Sequence, residues 1–205
     1  MAILESCARK GCLMQSLSCA TRWRRALVLI AVVAGVFSPG RFAAEEPREY
    51  QVKGVLLYHL TQFVEWPITA FATPEAPFVI GILGNDPFDK TLDEVIHGEK
   101  ASNRPIIIER YPKDKVEAAK KCHLLFVGMS ERDNLRKIMA QLRDRPILTV
   151  SDSEGFIRSG GMIHLFKNSE NKVRLRICLS VVKTNGLTVS SKLLRVAEIV
   201  RSEDD

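Results

Sequence analysis

The sequence predicts an α/β fold in a single domain: a mainly parallel sheet of about five or six strands flanked by helices on both faces, with an antiparallel hairpin near the carboxyl-terminal end. Short apolar runs alternate with amphipathic stretches between residues 78 and 150, the pattern of a parallel sheet buried on both sides. After residue 155 the spacing changes to two alternating runs joined by a polar stretch, residues 167–171, which reads as a hairpin. A chain of 205 residues, 46% of them hydrophobic, suits one compact domain with its own core.

Taken in order, residues 48–65 place Val52, Val55, Leu56, His59 and Phe63 at three- and four-residue spacings, one face of a helix. Trp66-Pro67 ends it, because a residue before proline is pushed out of the helical region. Residues 78–83 form a short apolar strand closed by Gly84. Asn85-Asp86-Pro87 then starts a helix toward Ile96, with Asp86 as cap and Pro87 in the first turn. Strands at 105–109, 123–127 and 147–150 alternate with helices at 114–121 and 131–143, the latter carrying Leu135, Ile138, Met139 and Leu142 on one face. The hairpin arms are 161–166 and 172–182, with Val173, Leu175, Ile177, Leu179 and Val181 facing one way. A last helix begins near Ser190 and buries Leu193, Leu194, Ala197 and Val200, before a charged tail at 201–205. Ile82, Ile107, Leu125, Leu148 and Ile177 are expected in the core.

Residues 1–44 read as a signal peptide with its cleavage region, and 45–205 as the exported domain. The leader has a positive stretch ending Arg22-Trp23-Arg24-Arg25, an apolar run at 26–37 and small residues after it. That run is well short of the roughly 20 residues that span a bilayer. Cleavage after Ala44 and cleavage after Gly40 both remain open, as does initiation at Met14. Six of the thirty basic residues and one of the 24 acids precede Glu45, leaving 24 basic against 23 acidic residues. The basicity belongs mostly to the leader, so no nucleic-acid partner is expected. Cys7, Cys12 and Cys19 leave with it; Cys122 and Cys178 stay, as a disulfide or as two buried thiols.

Motifs for chemistry are incomplete. Gly81 and Gly84 lack a nucleotide-binding spacing, and close packing with a tight turn explains them. Gly128-Met129-Ser130 starts like a nucleophile elbow, but Arg132 stands where the closing glycine belongs; Ser130 reads as a helix cap with Asp133 as partner. Cys122 and His123, adjacent on a strand, point to opposite faces and cannot share a metal. His59 and His164 read as core histidines and His97 as an exposed helix terminus. Ser151, Asp152 and His164 show no arrangement that specifies hydrolysis, and the turn explains residues 151–155. No enzyme and no cofactor is expected. The alternative is a small-ligand-binding sensor module with Asn85, Asp86 and Asp152 at the carboxyl ends of the strands, where open α/β sheets place ligands.

Tyr50-x-Val52-Lys53-x5-His59 leading to Phe63-Val64-Glu65-Trp66-Pro67, then residues 80–88 (I-G-I-L-G-N-D-P-F), 122–127 (C-H-L-L-F-V), 148–152 (L-T-V-S-D) and Gly160-Gly161-Met162-Ile163, together resemble the YfiR family across residues 49–200. The resemblance implies a non-enzymatic periplasmic regulator, often a homodimer. It implies binding to the sensory part of an inner-membrane diguanylate cyclase or another membrane sensor, and release by an outer-membrane-anchored partner. The helix at 48–65 carries more apolar surface than one face can hide, since Leu57, Tyr58 and Leu60 fall outside its stripe. Tyr58, Glu65 and Trp66 are therefore expected at or beside the partner surface.

Overall fold

The computed structural model describes residues 46–201. The leader, its cleavage region and its three cysteines lie outside the described residues, as do the last four residues of the tail.

The described elements run α1 (Glu46–Phe63), β1 (Val64–Glu65), β2 (Phe78–Leu83), α2 (Lys90–Ile96), β3 (Lys100–Ala101), β4 (Arg104–Tyr111), α3 (Val116–Ala119) and β5 (Leu124–Val127). A 3-10 stretch (Met129–Asn134) leads into α4 (Leu135–Leu142), followed by β6 (Leu148–Ser151), β7 (Ile163–Lys167), β8 (Val173–Ile177), α5 (Leu179–Thr184), β9 (Thr188–Val189), α6 (Ser191–Leu194) and β10 (Glu198–Ile199). The main sheet has the order β10-β8-β7-β6-β5-β2-β4-β3. Its centre, from β4 through β2, β5 and β6 to β7, is parallel, and β8 returns antiparallel to β7. The expected parallel sheet and late hairpin are both present. The sheet reaches eight strands because two-residue strands, β3 and β10, extend its edges; runs that short carry no periodicity. β1 and β9 form a separate two-stranded pair.

Side-chain alternation along the central strands divides the interior into two cores. Phe78, Ile80 and Ile82 of β2 and Leu124 and Phe126 of β5 face α1, α2 and Val182 of α5. Val79, Leu83, Leu125 and Val127 face the other way, against Val116 of α3 and Leu135, Ile138, Met139 and Leu142 of α4. Helices cover both faces, as a parallel sheet requires.

Several expectations are corrected. The stripe of α1 is inverted: Val52 and Val55 are 47% and 41% exposed and His59 faces solvent, whereas Lys53, Leu57, Leu60, Thr61 and Val64 are buried. Ile107 is 38% exposed, while Ile82, Leu125, Leu148 and Ile177 are buried. It lies one strand from the sheet edge, on the face where the four-residue α3 is the nearest cover. The arm drawn to 182 ends at Ile177, because β7 begins at the paired Ile163 and offers no strand opposite the next residues; they coil into α5. The last helix is a single turn capped by Ser190, whose Oγ accepts the Leu193 N–H, and the chain then returns as β10. Asp86 caps a turn rather than a helix: its Oδ1 accepts the Phe88 N–H at 2.7 Å, and α2 starts only at Lys90. Ser130 lies inside the 3-10 stretch, which Gly128 precedes. Cys122 and Cys178 are both buried free thiols, which selects one of the two alternatives left open.

Candidate functional site

The inversion of α1 follows from one buried cation. Lys53 is 3% exposed, and its Nζ lies 2.6 Å from both Asp152 Oδ2 and Glu49 Oε1 and 4.5 Å from the centroid of the Tyr50 ring. The Tyr50 hydroxyl donates to the same Asp152 oxygen at 3.0 Å, and Lys167 reaches the other oxygen of Glu49 at 2.6 Å. Burial pulls the Glu49 carboxyl upward, but hydrogen bonds from Lys167 and Lys53 outweigh it and hold it below the ordinary value. A buried charge persists only with such partners. Asp152 immediately follows β6, so the network ties α1 to the carboxyl end of the sheet. Its other oxygen, Oδ1, has no hydrogen-bond partner among the described residues.

With Lys53 turned inward, α1 presents Val52, Val55 and His59 to solvent, flanked by the half-buried Leu56 and Phe63. Ile68, just beyond the helix, is 89% exposed. The helix thus is apolar on two faces, as its composition implies, with the faces exchanged relative to the periodicity reading. Tyr58 sits beside the stripe, half-buried, donating to Glu99 Oε2 at 2.6 Å; this bond is the first cause of its raised pKa. Glu65 is exposed on β1, opposite Thr188.

Trp66 is partly turned inward. Its Nε1 donates to the His123 carbonyl at 3.0 Å, and its ring meets Phe78 edge-on at 4.8 Å. Beneath it, His123 stacks between Phe71 at 4.4 Å and Phe78 at 5.0 Å. Its Nδ1 accepts the Val79 N–H at 2.9 Å, so the ring proton resides on Nε2 and is donated to the Ala70 carbonyl at 3.2 Å. Burial lowers the His123 pKa, the Ala70 bond opposes this, and the nearby Arg104 charge adds to the lowering. The unfolded chain therefore binds a proton below about pH 6.5 that the native protein refuses, and stability is lost as pH falls through that window. Urea midpoints should drop between pH 7.5 and 5.5, and His123→Gln should flatten the slope; a wild-type midpoint that holds or rises on acidification contradicts this.

The ligand candidates join different networks. Asp86 Oδ2 pairs with Arg110 Nε at 2.7 Å, Asp152 with Lys53, and Asn85 is exposed with its backbone N–H held by Ser130 Oγ at 3.0 Å. β4 lies on one side of β2 and β5 on the other, so the topological switch point falls between β2 and β5. The two loops there press on each other. A Cβ on Gly128 would stand 2.7 Å from the Asn85 carbonyl oxygen, and one on Gly84, at φ 88°, would stand 2.3 Å from Ser130 Oγ. These glycines are required by close approach and a left-handed turn. Lys53 and Tyr50 as the partners of Asp152, Glu49 as the second partner of Lys53, and the outward Val55 were not found by periodicity; the only signal was Tyr50-x-Val52-Lys53 in the family-like motif.

Among the described residues, no group of three or more His, Cys, Asp or Glu side chains could hold a metal ion, and no helix is long and apolar enough to cross a membrane. Residues 50–198 match the model of a family described as YfiR/HmsC-like. No curated protein matches the chain.

Proposed function

This chain belongs to the YfiR/HmsC-like family, and from that premise we propose that it is an exported, non-catalytic regulator that represses the sensory part of an inner-membrane diguanylate cyclase. The observation that carries the proposal is the outward apolar stripe of α1, Val52, Val55 and His59 with Leu56 and Phe63. Apolar side chains left contiguous on a folded domain mark a protein contact. Tyr58, Glu65 and Trp66 border it, and the leader supports export to the periplasm. The same reading includes a homodimer and release by an outer-membrane-anchored partner. Light scattering that finds only monomer removes the first of these.

Because Trp66 also packs on Phe78, Val55→Glu is the cleaner probe: it places a charge on an exposed helical position without touching the core. If Val55 is central, its loss should cost roughly 2 kcal/mol or more of binding. Cells lacking the gene should show raised cyclic di-GMP, wild type should restore it, and Val55→Glu should not, while its melting curve matches wild type. The periplasmic protein in these cells should begin between Arg41 and Glu46. Unchanged cyclic di-GMP in the deletion sinks the repressor reading; full complementation by Val55→Glu sinks only the proposed surface.

A further inference from the structure

We propose that the recess between α4 and α5 binds a small amphipathic anion, with one carboxylate or sulfonate on a compact apolar body. Its volume is about 380 Å³, the size of a small-molecule site. The floor is apolar, from Met139, Leu142, Met162 and Val181, and Arg136 and Arg143 stand over it. Arg136 and Ala140 lie one turn apart on α4, and Arg143 directly follows its last residue, so both arginines line the recess. The small Ala140 between them keeps the space open.

Charge decides the class of ligand. No aspartate or glutamate lines the recess, and neither arginine has an ion-pair partner among the described residues. The other polar groups are engaged: Ser159 and Thr184 hydroxyls donate to the Gly155 and Ser180 carbonyls. The Asn185 amide donates to the Val181 carbonyl and accepts the Arg145 N–H. Two uncommitted guanidiniums above an apolar floor suit a carboxylate head, which a planar arginine fork binds through paired hydrogen bonds, and an apolar body below. The recess flanks Thr149 of β6 and Met162 just before β7, at the amino ends of these strands and away from Asp152 at the carboxyl end. It would give the domain a small-molecule input independent of the α1 surface.

The experiment titrates octanoate, and separately 1-octanol, into ¹⁵N-labelled protein spanning residues 45–205 and follows amide shifts. Octanoate should move the amides of Ala140, Ser159 and Thr184 in a saturable way, and octanol should bind the same place about tenfold more weakly, since hydrogen bonds to a charged group are what it lacks. Arg136→Gln with Arg143→Gln should reduce octanoate to the octanol level, and Ala140→Trp should abolish both by filling the space. Equal affinity for octanoate and octanol overturns the proposal, as does an absence of shifts at these amides or shifts centred on the α1 stripe. The wild-type comparison decides the matter even if a variant fails to fold.

Discussion

Replacing Lys53 by methionine should destabilise the domain by about 3–5 kcal/mol, the cost of leaving a buried charge without its partner. Asp152 has a side chain only 3% exposed, and without the ammonium its carboxylate would retain the Tyr50 hydroxyl alone among the side-chain bonds described for it. For a domain of this size the melting temperature should fall by roughly 10 °C. Lys53→Met combined with Asp152→Leu should recover most of the loss, because removing both charges of a buried pair is far less costly than removing one. Urea unfolding of the two single variants and the double variant measures the coupling. A single-variant loss below about 1 kcal/mol, with no recovery in the double, would mean that the pair is solvated and does not set the orientation of α1.

Phe78→Ala should cost a similar amount, about 3–5 kcal/mol, and should loosen the corner after α1 more than any other part of the fold. Phe78 is fully buried and is the ring on which Trp66, His123 and Phe71 all rest, at 4.8, 5.0 and 6.4 Å. Trp66 is the only tryptophan after residue 44, so its fluorescence reports this place directly and should shift to the red as water enters. Phe78→Leu keeps most of the volume and should cost less than about 1.5 kcal/mol. If Phe78→Ala unfolds with the wild-type urea midpoint and an unshifted emission, the aromatic stack is not what seats the corner.

These two residues also show where the sequence was readable. Phe78 heads a run of six residues whose β-branched content and closing glycine identify a buried strand, and the strand is there, buried throughout. The same local logic reached β5, β6 and α4, whose Leu135, Ile138, Met139 and Leu142 all face the core. In each case the signal is a periodicity that one element carries within itself. The alternation of strands with helices likewise implies a parallel sheet covered on both sides, and the family-like segments from Tyr50 to Ile163 mark the family.

The orientation of α1 is of the other kind. A lysine among apolar residues is ordinarily on the solvent face, since burying an ammonium alone is prohibitive. Periodicity therefore favoured the stripe of Val52, Val55 and His59 as the core face. What reverses the choice is a carboxylate 99 residues away, brought beside Lys53 only when β6 takes its place in the sheet. The short edge strands, the turn of residues 179–184 from strand into helix, and the recess under Arg136 and Arg143 depend in the same way on register and on neighbours distant in the chain. Sequence alone determined the central strands, the helices between them and how apolar each is, because those properties are local. Tertiary structure decided which face of α1 is free to meet a partner, because the energy that settles it belongs to a pair of charges that only the folded sheet brings together.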